Sequence, residues 1–207
     1  MSKPLFAILL DGGFLTKKLY GKLGRHATAD DIVVECDRFR GLPILDSYEL
    51  LRIYYYDAPP SSQSLRTPVT RVALNLATTA RYRLSQSMYD QLILKPHFAL
   101  RMGETRLAPY EWSIKPRAAK ELIKAPRPLV DEDFNLDLAQ KGVDMRVGLD
   151  MARLALKETV RAVVLVTGDS DFVPAFKFAR REGVKVMLET MGHNVRTELR
   201  AHSDLVF

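Results

Sequence analysis

A chain of 207 residues that is 47% hydrophobic and 27% charged can bury one sizeable core, and two full domains would be cramped in it. The single cysteine, Cys36, excludes an intramolecular disulfide and any cysteine-based zinc cluster, and the four histidines include no His-x-x-x-His pair. Lys and Arg outnumber Asp and Glu by 31 to 25, a net charge of +6 that is compatible with a polyanionic partner.

The first apolar run, Leu5 to Leu10, is too short for a membrane span and is followed by Asp11 and no small-residue cleavage site. A soluble cytoplasmic protein is therefore expected. The run reads instead as a buried strand with Asp11 at its carboxyl end, where Gly12 and Gly13 permit a tight turn and close approach of a ligand. A helix follows through Phe14, Leu15, Leu19 and Tyr20, with Gly21 or Gly24 as its stop. Asp30 and Asp31 head a second helix over 28–39, which takes Cys36 into the core. Residues 50–56 form a second strand ending in Asp57 before a proline turn, so Asp57 either lines the same cleft as Asp11 or shapes the turn. Residues 67–88 read as a helix carrying Arg71, Arg81 and Arg83 on a solvated basic face, with nucleic-acid binding as the second reading.

The stretch 92–137 is the least regular. Residues 92–102 followed by Gly103 to Leu107 resemble a strand, a hairpin turn and a return strand. Lys115, Arg117, Lys120, Lys124 and Arg127 then fall within thirteen residues, close in sequence to Phe98, Tyr110 and Trp112. Cations for phosphates and rings for bases are what a single-stranded nucleic acid requires, although a solvated segment with its aromatics in the core has the same composition. Pro116, Pro126 and Pro128 point to an irregular connection.

Lys141-Gly142-Val143-Asp144 opens an amphipathic helix whose Val147, Met151, Leu154 and Ala155 recur at helical spacing. Asp144 stands in its first turn, where free amide hydrogens favour a negative charge. Asp150 is as well placed to pair with Arg146 or Arg153 as to serve function. Lys141 is either a surface lysine or a phosphate contact. Val163 to Val166 is a strand buried on both faces, and Thr167-Gly168-Asp169-Ser170-Asp171-Phe172 leads from it into a helix with Val173, Phe176, Phe178 and Ala179, closed by Gly183. Asp169 and Asp171 repel one another unless a cation lies between them; the plainer reading is that one caps the helix and the other faces water. A strand over 184–188, a turn containing His193, a helix from Val195 to Leu199 and a short strand in 204–207 complete the chain.

Four blocks, in order, resemble the NYN domain of the LabA-like group, a branch of the PIN-like nucleases: the strand ending in Asp11, Tyr55-Tyr56-Asp57, Lys141-Gly142-Val143-Asp144 with Asp150 after it, and Thr167 to Phe172. The resemblance implies an α/β, PIN-like fold: a central, mostly parallel sheet with helices on both faces and a hairpin-containing insertion. It implies one domain over 1–207, with the basic insertion at about 92–137. It also implies an acidic pocket of Asp11, Asp144, Asp169 and Asp171 that binds Mg²⁺ or Mn²⁺ and hydrolyses phosphodiester bonds, mostly of RNA. Thr167 and Ser170 would hydrogen-bond behind the ligands, Lys141 would meet the phosphate, and Asp150 and Asp57 belong to the matching blocks outside that set. PIN-like domains often pair, which leaves a homodimer open. Many NYN sequences carry Asn three residues after the first Asp; here that residue is Phe14, so the alternative is a catalytically weak or silent RNA-binding module. A haloacid-dehalogenase phosphatase would need Asp where Gly13 stands, and a dinucleotide-binding domain would need Gly-x-Gly-x-x-Gly after the first strand; neither is present.

Overall fold

In the computed structural model, which describes residues 2–207, β1 (Leu5–Asp11) leads through α1 (Gly12–Leu23) and α2 (Ala29–Arg40) to β2 (Glu49–Asp57). An antiparallel pair, β3 (Ser64–Arg66) and β4 (Ala73–Asn75), precedes α3 (Ala80–Leu92) and β5 (Phe98–Met102). Next come β6 (Glu104–Ile114), α4 (Pro116–Lys124) and β7 (Phe134–Lys141), then α5 (Val143–Leu156) and β8 (Ala162–Val166). The chain finishes with α6 (Val173–Arg181), β9 (Lys185–Glu189), α7 (Thr197–Ala201) and β10 (Leu205–Val206).

Six strands form a wholly parallel sheet in the order β10-β9-β8-β1-β2-β5, flanked among the described residues by seven α-helices, an architecture consistent with a PIN-like fold. Strand order turns back between β1 and β8, so a crevice is left outside their carboxyl ends, where ligands of open α/β sheets bind. The pleat sorts alternate residues to two cores. Ile8, Leu10, Tyr55 and Val166 pack under α1, α2 and α3, whereas Leu9, Tyr56, Val163 and Leu165 pack under α5 and α6. All five residues of β8 are buried, which accounts for its unbroken apolar sequence.

Three local expectations need correction. The helix expected over 67–88 begins only at Ala80, because Leu65 pairs with Leu74 and the Thr79 side chain caps α3 by accepting from the Tyr82 amide. Arg71 therefore lies in a turn with φ of 59°, not on a helix. The hairpin expected at Gly103 does not form: β5 joins the central sheet beside β2, and β6 pairs instead with β7 in a separate antiparallel arm. Gly103 is the point of departure, where a Cβ would lie 2.6 Å from the Lys141 carbonyl oxygen, so only glycine lets the two strands pass this closely. Finally, the proline-marked connection contains α4, which Pro116 starts from a position whose amide has no helical partner.

Candidate functional site

Register fixes the centre of the crevice. Asp11 lies beside Tyr56, Tyr56 beside Arg101, and Thr167 directly follows Val166, the partner of Leu10. Neighbours in a parallel sheet point to the same side, so Thr167, Asp11, Tyr56 and Arg101 form one row on the α5 and α6 face. The Asp11 carboxylate is held at both oxygens: Oδ1 accepts from the Phe14 amide at 3.1 Å and Oδ2 from the Thr167 hydroxyl at 2.9 Å. The first bond caps α1. Burial raises the Asp11 pKa above the ordinary carboxylate value; these hydrogen bonds oppose the rise and the charges of Asp144 and Asp57 add to it.

The completely buried Thr167 also accepts from the Asp169 amide at 3.1 Å, and Asp169 Oδ1 in turn accepts from the Asp171 amide at 2.9 Å. Both aspartates are exposed at the mouth of the crevice. Opposite them, Gly142 adopts φ of 74° and turns the chain into α5, which sets Asp144 in the first turn. The Asp144 pKa is raised by partial burial and then by the charges of Asp169 and Asp171. Acids from β1, α5 and the loop after β8 thus feel one another across the crevice. Among the described residues, no group of three or more acid, histidine or cysteine side chains is already close enough to cage a metal ion. The donors are nonetheless all carboxylate oxygens, the chemistry of a hard cation that takes one or two carboxylates directly and keeps several waters. They therefore fit a hydrated Mg²⁺ or Mn²⁺ rather than a closed cage.

Asp57 is not brought into this row. One residue beyond Tyr56, it points to the opposite face, buried, where Oδ2 accepts from the Tyr55 and Tyr89 hydroxyls at 3.1 and 3.0 Å. Its Oδ1 accepts from the Ala58 amide at 2.7 Å and from Gln140 at 3.4 Å. Burial raises its pKa against these four bonds. Asp150 accepts from the Tyr56 hydroxyl at 3.1 Å and from Arg101 Nε at 3.0 Å. Its ion-pair partner is thus Arg101 of β5; Arg146 instead donates to the Gly142 carbonyl. Arg101 also lies 5.3 Å from the Tyr54 ring centroid. Arg101 was not anticipated from the sequence and Tyr56 only as part of a motif; the one local signal for Arg101 was a cation interrupting Ala99-Leu100-Arg101-Met102.

Lys141 ends β7 beside the crevice, exposed, and the Ser170 hydroxyl accepts from Arg196 at 3.4 Å. Phe14 and His193 close over Gly168 with ring centroids 5.8 Å apart, and a Cβ on Gly168 would lie 2.7 Å from each ring. The Phe14 side chain contributes no polar atom; its backbone amide alone serves Asp11.

The basic run largely pairs within itself. Lys115 donates to the Glu132 carbonyl, Arg117 to Glu121, and Arg127 to the buried Asp133 through both nitrogens of its fork. Lys120 and Lys124 have no such partner among the described residues. Of the aromatics, Phe98 packs on the core, the Trp112 indole donates to the Arg66 carbonyl at 3.1 Å, and only Tyr110, 85% exposed, is open to a ligand. No helix is long and apolar enough to cross a membrane among the described residues.

No curated protein matches the chain. A solved structure of a protein of unknown function from Vibrio parahaemolyticus is similar over 99% of this chain and 91% of its own, with a TM-score of 0.53 at 15% identity, a likeness of fold alone. The family model for the NYN domain matches residues 113–207, a span that holds Asp144, Asp150, Asp169 and Asp171 and leaves Asp11 and Asp57 outside. The carboxyl-terminal part of the chain is thus similar to the NYN domain, a family of PIN-like nucleases, and the LabA-like group is compatible with the match.

Proposed function

We propose that the chain is a Mg²⁺- or Mn²⁺-dependent nuclease that hydrolyses phosphodiester bonds in single-stranded or structured RNA. The observation that supports it most is the convergence of carboxylates at the switch point of the sheet, close enough for Asp144 to sense Asp169 and Asp171 and for Asp11 to sense Asp144. Asp11 and Asp169 would hold the cation directly, and Asp144 and Asp171 directly or through water. When bound, the cation would lower the pKa of an attacking water and offset the phosphate's charge.

The chain's own groups supply the rest. Thr167 and the Phe14 amide fix the Asp11 rotamer, so no reorganisation is needed as substrate enters. Either Asp144 or Asp171 can accept a hydrogen bond from the nucleophilic water and hold it in line. Arg101, steadied by Asp150, and Lys141 are cations at the same edge that can meet phosphate oxygens. The likeness of fold over 99% of the chain supports one structural unit over 1–207, and the single buried cysteine accords with a cytoplasmic setting.

Cleavage of labelled single-stranded RNA in Mn²⁺ tests the reading. Asp169→Asn should cut on the order of 100-fold more slowly than wild type; equal cleavage by both would assign the activity to a contaminant or another site. A second reading, a catalytically silent RNA-binding module, is favoured by the Phe14 and His193 rings over Gly168, which stand where an amide could hold water or phosphate. RNA bound tightly in chelator, with no turnover on adding Mn²⁺, would establish that reading instead.

A further inference from the structure

On the face opposite the acid row, a cavity of about 940 Å³ opens between α1 and α3, floored by Asp57 and walled on its third side by Leu138 and Gln140 of the β6–β7 arm. It reaches the acid edge at Gly13, where a Cβ would lie 3.6 Å from Asp11 Oδ1. Its charge is one-sided. Lys17 on α1 and Arg81 on α3 face it from opposite walls, both exposed, and neither has an ion pair or hydrogen bond among the described residues. The acid beneath them, Asp57, is already occupied by four donors. Tyr20, 51% exposed, and Tyr82 present rings to the same space. Gln140 uses a single N–H on Asp57, which leaves its carbonyl and second N–H for a ligand.

Unpaired cations on two walls, rings between them and a free amide are complementary to phosphates, base faces and a base edge together. The volume is that of a pocket for one small organic ligand, and a base pair offers its faces to neighbouring pairs rather than to tyrosines. We infer that this cavity is a binding site for a single-stranded stretch of one or two nucleotides adjoining the crevice, so that the protein takes substrates with an unpaired flank. The inference rests on the nuclease reading only for the fate of that substrate; the binding stands by itself.

Fluorescence anisotropy of a labelled single-stranded RNA decamer, in EDTA so that no metal takes part, tests it on the full chain. Wild type should bind. The Lys17→Ala/Arg81→Ala variant should bind about tenfold more weakly, with the slope of log affinity against log salt reduced by about 1.4, as two lost contacts to single-strand phosphates require. Lys17→Arg/Arg81→Lys should restore both. A blunt RNA duplex should bind more weakly than the decamer. Undiminished affinity and slope in Lys17→Ala/Arg81→Ala, or no binding by wild type, overturns the inference even where Asp169→Asn abolishes cleavage. Conversely, loss of binding in that variant with no cleavage by any protein in Mn²⁺ leaves the cavity standing and removes the nuclease.

Discussion

The crevice edge and the β6–β7 arm carry the two groups of charge that the sequence makes conspicuous, and they behave in opposite ways. The acids come from residues as far apart as Asp11 and Asp171, yet the sheet register and the first turn of α5 gather them until they repel. The cations of the arm are contiguous in sequence, yet three of the five turn to partners within the arm itself. Proximity along the chain gave two of the arm's cations, Arg117 and Arg127, carboxylates that neutralise them, and gave Lys115 a carbonyl oxygen. Remoteness along the chain left the acids facing one another across a gap, which is the arrangement that calls for a cation from outside.

Activity separates the two regions most sharply. Asp11→Asn, like Asp169→Asn, should reduce Mn²⁺-dependent RNA cleavage on the order of 100-fold, whereas Lys120→Ala/Lys124→Ala should stay within about twofold of wild type. A large loss from the arm variant would reverse the comparison. Arg101→Ala should follow with a loss of about tenfold, expressed more in KM than in kcat if the guanidinium binds phosphate, and Arg101→Lys should recover part of it. Steady-state kinetics on the same RNA resolves the two.

Stability should divide the same way. At the edge, a Cβ on Gly12 would lie 2.7 Å from both the Tyr55 ring and the Tyr56 carbonyl oxygen, so Gly12→Ala should cost about 1–3 kcal/mol in chemical denaturation. On the arm, Ile123 is 83% exposed, and Ile123→Ala should change stability by no more than about 0.5 kcal/mol.

The smallest effects concern pH, and their signs oppose. Asp11, Asp57 and Asp144 have folded pKa values raised above the ordinary 3.8, so in the window just above 3.8 the folded state binds more protons than the unfolded and stability falls as pH rises. Asp133 is held down to about 2 by Arg127, so its contribution is complete above 3.8 and lost as pH falls toward 2. Asp144→Asn should therefore raise the melting temperature in EDTA at neutral pH, with the difference vanishing below pH 3.8, and Asp133→Asn should lower it. Added Mn²⁺ should raise the melting temperature of wild type and leave Asp144→Asn behind.

Much of this was legible in the sequence for definite reasons. Asp11, Asp144 and Asp169 each sit where a buried strand or amphipathic helix meets glycine, so the pattern that marks the element also marks the acid. The face of each side chain was not legible. Asp57 follows three tyrosines and looks equivalent to Asp11, but the pleat sends it to the opposite core, and only the pairing of Asp11 with Tyr56 reveals this. Arg101 was hidden for a related reason: its strand was read as half of a hairpin, and the partner that defines it, Asp150, lies 49 residues on. The helix expected over 67–88 failed because Thr79 caps α3 and the β3–β4 pairing occupies the residues before it.

The central claim is that Asp11, Asp144, Asp169 and Asp171 share one divalent ion. Anomalous diffraction at the manganese edge from a crystal soaked in MnCl₂ addresses it directly. The account expects one strong peak in the crevice, bounded by Asp11 and Asp169, with Asp144 and Asp171 reached directly or through water, and no peak in Asp11→Asn. A crevice without manganese in a crystal of protein that cleaves RNA in the same buffer would contradict it.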